Sequence, residues 1–147
     1  MKIFIGSDHG GYKLKKQILS FLYKLGYYVA DLGNKNYEPD DDYPIYAKEV
    51  AKTVAKTKDS IGILICGSGQ GVCIVANKVR GIRAALAEHI KDAYLARKDD
   101  DSNVLCLSGR ILNSEKANKI VKKFLETKFE DLPKRKRRLM EIKKFEK

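Results

Sequence analysis

Short apolar runs alternate along this chain with stretches whose apolar residues recur every three or four positions. The runs Ile3-Phe4-Ile5, Tyr27-Tyr28-Val29-Ala30, Ile61 to Ile65, Ile82-Arg83-Ala84-Ala85-Leu86 and Val104-Leu105-Cys106-Leu107 have the length and composition of buried strands. Between them, residues 11 to 25 set Leu14, Ile18, Leu22 and Leu25 on one helical face, and residues 44 to 57 do the same with Ala47, Val50, Ala51 and Val54. Shorter helices are expected over about 71 to 79 and 89 to 98. A longer one is expected over about 114 to 127, with Ala117, Ile120, Val121, Phe124 and Leu125 as its buried stripe and Asn113 or Ser114 as N-cap. A last helix, 133 to 146, starts at Pro133, and Gly26 closes the first helix from the C′ position.

Strands that alternate with helices are joined by right-handed crossovers, so the pattern predicts an α/β fold with a largely parallel five-stranded sheet covered on both faces. The 147 residues form one domain, residues 1 to 147, with no linker, repeat or low-complexity block. Ligands of such sheets bind beyond the carboxyl ends of the strands. Those ends carry Gly6-Ser7-Asp8-His9-Gly10-Gly11, then Cys66-Gly67-Ser68-Gly69-Gln70-Gly71, then Ser108-Gly109-Arg110. Segment 33 to 43 is the one long loop, able to reach over a site or a neighbouring subunit.

Charge adds a question to this picture. The chain carries 30 Lys and Arg against 19 Asp and Glu, a net +11 at pH 7. Residues 128 to 147 hold nine of the basic side chains and four acids. A solvated helix face accounts for such a tail better than a nucleic-acid site, because no aromatic residues interleave the basic run for base stacking. The three cysteines are odd in number and show no CxxC spacing, which argues against a disulfide framework or a zinc site and for reduced thiols in the cytoplasm. No apolar stretch approaches the length of a membrane span, and the start of the chain lacks the pattern of a signal peptide.

The segment Cys66 to Gly71 carries the clearest chemistry. Its glycines let the backbone turn sharply and aim several N–H groups at one spot, where a phosphate or a developing oxyanion could sit beside a thiol able to act as base or nucleophile. Gly67-Ser68-Gly69-Gln70-Gly71-Val72 lacks the third glycine of a dinucleotide fingerprint, no Walker loop is present, and Ser68 sits one position early for a nucleophile elbow. Asp8-His9 has two readings: two groups that each face a ligand, or a capping Asp8 (or Ser7) beside an exposed His9. His89 reads as a surface or capping residue, and Cys73 and Cys106 as packing. Asp99-Asp100-Asp101 sets like charges at a helix's negative end, so either the run is a solvated loop or one carboxyl is kept protonated by its neighbours.

Gly6 to Gly11, Asp42-Tyr43-Pro44, Cys66 to Gly71, Ala76-Asn77-Lys78, Gly81-Ile82-Arg83-Ala84 and Asn103-Val104-Leu105 together resemble the ribose-5-phosphate isomerase type B family, which includes galactose-6-phosphate isomerase subunits. The resemblance implies a Rossmann-like three-layer α/β/α sandwich without metal or organic cofactor. It implies a phosphorylated sugar as substrate, a homodimer or tetramer of dimers with active sites at subunit interfaces, and a place in the non-oxidative pentose phosphate pathway. The implied reaction interconverts D-ribose 5-phosphate and D-ribulose 5-phosphate through an enediolate, with a six-carbon aldose 6-phosphate such as allose 6-phosphate as the alternative. A catalytically silent sugar-phosphate- or nucleic-acid-binding protein is the alternative from another class.

Cys66 matches the base of the family's cysteine branch, Ser68 a group that assists proton movement, and the amides of Gly67, Gly69 and Gly71 the cradle for the enediolate. Asp8 matches a contact to sugar hydroxyls, His9 one near the phosphate or ring oxygen, and Arg110 a phosphate ligand. Tyr43 and Asn103 match positions lining the site or its interface. Lys134 and Arg138 match two arginines that grip phosphate, the first replaced by a point charge without the bidentate fork. They are expected to reach the thiol loop of a neighbouring subunit, with helix 133–146 packing there. Asp99-Asp100 stands where many relatives carry His-Asn, so either Asp99 takes over ring opening, with Asp100 beside it on the substrate, or ring opening falls to His9 or to the uncatalysed reaction.

Overall fold

Five strands and six α-helices build the chain, whose residues 1–147 are described by a computed structural model. The longest apolar runs become the central strands β1 (Lys2–Ser7), β3 (Ser60–Cys66) and β5 (Val104–Ser108), while β2 (Tyr28–Asp31) and β4 (Ala84–Leu86) form the partly exposed edges. The order is β2-β1-β3-β5-β4, and every neighbouring pair is parallel. Burial on both faces suits such strands, because parallel crossovers cover each side with helices. The α/β sandwich expected from the sequence is the fold observed.

Period-2 alternation sorts the central strands onto two cores. Ile3, Ile5, Ile61, Ile63, Ile65, Leu105 and Leu107 face α1 (Tyr12–Lys24), α4 (Ile90–Asp100) and α5 (Ser114–Glu126). Phe4, Leu64, Cys66, Val104 and Cys106 face α2 (Tyr43–Lys56) and α3 (Gln70–Ala76). The predicted α5 stripe is buried as expected, and complete burial of a side chain such as Phe124 adds about 2–3 kcal/mol. Asn113 caps α5 by accepting from the Lys116 amide at 2.9 Å, and Gly26, with φ +82°, occupies the left-handed C′ position of α1. His89 is the N-cap of α4 and shares a capping box with Asp92.

Two element ends fall short of their predicted limits for a shared reason. Helix α3 stops at Ala76 because the Asn77 side chain turns to β4, bonding the Ala84 amide at 2.8 Å and its carbonyl at 3.0 Å. Strand β4 starts at Ala84 because the Arg83 amide is taken by Asn103 Oδ1 at 2.8 Å. Lys15 is 1% exposed, and its ammonium bonds Asp31 and the Asn34 carbonyl, anchoring the end of β2 to α1. The last helix, α6 (Pro133–Lys144), buries no residue. It is fastened at one end by Arg135 and, just beyond its other end, by Glu146, which accepts from the Gly81 amide at 2.9 Å. No helix is long and apolar enough to cross a membrane.

Candidate active site

The chain reverses its direction across the sheet at β1 and β3, and the loops leaving β1, β3 and β5 meet above that point. They meet by close backbone packing. A Cβ on Gly10 would lie 2.7 Å from the Gly67 amide nitrogen, one on Gly109 would strike the Gly10 carbonyl, and the Arg110 guanidinium lies over Gly67. Ser108 Oγ donates to the Gly67 carbonyl at 2.6 Å, the Gly109 amide to the Cys66 carbonyl at 2.9 Å, and the Arg110 amide to Gly67 at 3.0 Å. The end of β5 thereby holds the thiol loop in one shape.

These loops enclose a cavity of about 270 Å³. The loop after β1 contributes Asp8, His9 and Gly10; the end of β3 and the turn into α3 contribute Cys66, Gly67, Ser68 and Gly71; Tyr43 comes from α2 and Arg110 from beyond β5. Cys66 is 4% exposed, and the Gly69 amide donates to its sulfur at 3.2 Å. Gly69 has φ +77° and lies under Leu86 and Leu107, so it supplies a donor from below while Gly67 and Gly71 line the space above. Ser68 Oγ accepts from the Gln70 amide at 3.2 Å, which orients its hydroxyl toward the cavity's edge. The Tyr43 ring packs against Gly71.

Asp8 and His9 diverge, and each does part of what the two sequence readings proposed. Asp8 Oδ1 caps the short 3₁₀ turn His9–Gly11 by accepting from the Gly10 amide at 2.9 Å, and the same carboxyl lines the cavity. Burial raises it above the ordinary aspartate value. The His9 ring turns instead to Asp41, with Nδ1 2.8 Å from Oδ1, and this bond raises the histidine above its usual value. Burial opposes charge on Asp41, but bonds from the His9 amide, the His9 ring, Asn34 and Tyr46 hold its carboxyl below the ordinary value. Asp41 went unassigned in the sequence. Its only local signal is the run Asp40-Asp41-Asp42 inside the long loop. Asp8, His9 and Asp41 bring ligand atoms within 4.8 Å of one another, so they are the residues able to hold a metal ion.

The remaining candidates lie at the far end of the sheet, beside the amino termini of the strands. Asp99, Asp100 and Asn103 precede β5, whereas Arg110 follows it, and a five-residue strand separates its two ends by about 17 Å. Helix α6, with Lys134 and Arg138, is fastened along that same far end through Arg135 and Glu146. Within one chain, none of these five residues lines the Cys66 cavity. Asp101, in the left-handed conformation at φ +47°, turns to Arg83 and Arg97. Asp99 Oδ1 lies 2.8 Å from Arg135 Nη2, a charge contact whose angle falls short of a hydrogen bond. Arg135 and Glu130 are paired in turn, so part of the basic tail's charge is spent inside the chain.

Residues 3–142 match the family model described as Ribose/Galactose Isomerase. The chain belongs to this isomerase family. Among curated members, a probable ribose-5-phosphate isomerase B of Mycoplasma pneumoniae is 49% identical over 87% of this chain and 84% of the relative. Ribose-5-phosphate isomerase B of Escherichia coli is 42% identical over 88% of this chain and 86% of its own. The ribose-5-phosphate isomerase B of Mycoplasma genitalium, solved with bound ribulose-5-phosphate, superposes with a TM-score of 0.94 at 46% identity, covering 98% of this chain and 95% of that one. The family's fold therefore extends over essentially the whole chain.

Proposed function

We propose that this chain is an aldose-ketose isomerase that interconverts D-ribose 5-phosphate and D-ribulose 5-phosphate. The observation that carries this reading is the cavity in which a buried thiol, an amide-rich turn and a guanidinium meet. The likeness to a Mycoplasma genitalium enzyme that holds ribulose-5-phosphate supports the choice of sugar.

In this reading Cys66 takes the proton from C2 of the open aldose and, after exchange with solvent, delivers a proton to C1. The negative charge that develops on the sugar oxygens is met by the amides of Gly67 and Gly71, which line the cavity, while Gly69 keeps its amide on the sulfur. Ser68 relays a proton between those oxygens. Asp8 holds sugar hydroxyls, His9 borders the phosphate or ring oxygen, Tyr43 closes one wall, and Arg110 pairs with the phosphate. The transfer is redox-neutral and calls for no organic cofactor.

The far-end residues enter from a second copy of the chain. Asp99 offers a carboxylate to the anomeric hydroxyl for ring opening, Asp100 and Asn103 border the sugar, and Lys134 and Arg138 complete the phosphate grip. What supports a homodimer is the separation of the two half-sites together with α6, which buries nothing and leaves Met140 and Phe145 exposed. Three free thiols fit a reducing cytoplasm. The test is ketose formation from ribose 5-phosphate by the purified protein. Turnover with a higher kcat/KM than on allose 6-phosphate is expected, and no ketose from ribose 5-phosphate would overturn the reading.

A further inference from the structure

The direction of the His9 ring is set from outside the cavity it lines. Asp41, in the long loop before α2, accepts from the His9 amide with Oδ1 at 2.8 Å, and the same oxygen lies 2.8 Å from His9 Nδ1. Its second oxygen takes the Asn34 side-chain amide at 3.4 Å. The Asp41 side chain is 10% exposed and the imidazole 40%, so the pair has a closed end and an open one. His9 borders the Cys66 cavity, whereas Asp41 stands behind it.

A carboxylate accepts and does not donate, so Nδ1 brings the proton to this bond and Nε2 is the ring nitrogen left for a ligand. The titratable groups that border His9 are Asp8 on its own turn, Cys66 from β3, Tyr43 from α2, Arg110 after β5 and Lys13 from α1, yet Asp41 alone bonds its ring. Within one chain the cavity has a single permanent cation, Arg110, and the Asp8 carboxyl shares the space with it. A phosphate held there needs a second polar contact. Nε2 supplies one whether the shared proton sits on the nitrogen or on the phosphate oxygen, provided that the ring points the right way.

We propose that Asp41 is a positioning residue for substrate binding, acting through His9 to keep Nε2 aimed at the sugar's phosphate beside Arg110. The inference rests on the isomerase reading for the identity of the sugar. Without Asp41 a ring this exposed would sample several rotamers, and each binding event would have to immobilise it; with Asp41 that ordering is done in advance. Because the phosphate is remote from the carbons that react, the gain is the same in ground and transition states and belongs to KM rather than kcat.

The test compares native protein with Asp41→Ala, Asp41→Asn, His9→Ala and the double variant His9→Ala with Asp41→Ala. Steady-state rates are measured from ribose 5-phosphate and from ribulose 5-phosphate, and the binding of inorganic phosphate is followed by NMR at the Gly10 and Arg110 amides. Asp41→Ala should raise both KM values and weaken phosphate by about 3–10-fold, with kcat within about twofold of native. Asp41→Asn, whose side-chain oxygen still accepts from the ring, should recover most of that loss. In the His9→Ala background Asp41→Ala should change neither KM nor phosphate affinity. Native KM and phosphate affinity in Asp41→Ala, a loss of equal size with and without His9, or a loss confined to kcat from the aldose would overturn the proposal. The phosphate titration needs no turnover, so a protein that isomerises neither sugar yet shows this binding pattern would contradict the isomerase reading and support the role of Asp41.

Discussion

Gly10 and Gly67 touch backbone to backbone, so that a Cβ on Gly10 would stand 2.7 Å from the Gly67 amide nitrogen and 2.9 Å from its Cα. The contact joins the β1 loop to the thiol loop, and neither side has a flexible atom to move aside. Gly10→Ala should therefore displace the Cys66 turn, costing about 1–3 kcal/mol of stability and most of the turnover. Gly26 offers the control, because nothing lies within 4 Å of its Cβ position although φ is +82°. Gly26→Ala should cost about 1 kcal/mol through the left-handed conformation alone and leave kcat/KM unchanged. Urea unfolding and steady-state rates of the two variants separate the effects.

The His9–Asp41 pair ties the β1 loop to the long loop before α2. Because the folded protein raises His9, it binds that proton more tightly than the unfolded chain does. The contact thus adds stability below the ordinary histidine range and loses it as pH rises through the raised value. Asp41 behaves in the opposite sense: its contribution is present above the ordinary aspartate range and lost as pH falls through the lowered value. In an NMR titration the His9 ring should show a midpoint above 6.5 that falls toward it in Asp41→Asn. A midpoint indifferent to that substitution would contradict the pairing.

Lys15 is buried with its charge, and Asp31 is the carboxylate that compensates it at 3.0 Å. Asp31→Ala leaves an ammonium stranded beside one carbonyl and should destabilise the fold by about 3–5 kcal/mol. Removing both charges, as Lys15→Met with Asp31→Asn, should cost less than removing Asp31 alone. Denaturant midpoints of the single and double variants check the order, and an additive double variant would show that the two charges do not depend on each other.

The proposed dimer, in which each site draws on opposite ends of two sheets, can be tested by mixing chains. Cys66→Ala and Arg138→Ala chains should each be nearly inactive alone. After mixing, unfolding and refolding together, some dimers would hold one site with both native residues, and part of the activity should return. Failure to recover any activity, with mixed dimers demonstrated by mass, would place Cys66 and Arg138 in separate functions.

Much of this architecture is legible in the sequence because short-range rules decide it. The α5 stripe, the Asn113 cap, the Gly26 C′ position and the three central strands follow from periodicity and local hydrogen bonding. What escaped depends on partners distant in the chain. Asn77 ends α3 by bonding Ala84, and Asn103 takes the Arg83 amide, so two element limits moved for reasons no local window contains. The contact of Asp99 with Arg135 lies outside any local window likewise. Asp41 was missed because its meaning comes from His9, 32 residues earlier.

Proton transfer by Cys66 is read most directly by isomerising ribose 5-phosphate in deuterium oxide and following both the rate and the label at C1 of the ketose. Native protein should form ribulose 5-phosphate carrying solvent deuterium at C1. Folded Cys66→Ala should lose turnover about 10²–10⁴-fold and the labelling with it. A Cys66→Ala protein that isomerises and labels at the native rate would contradict the assignment of this thiol as the base.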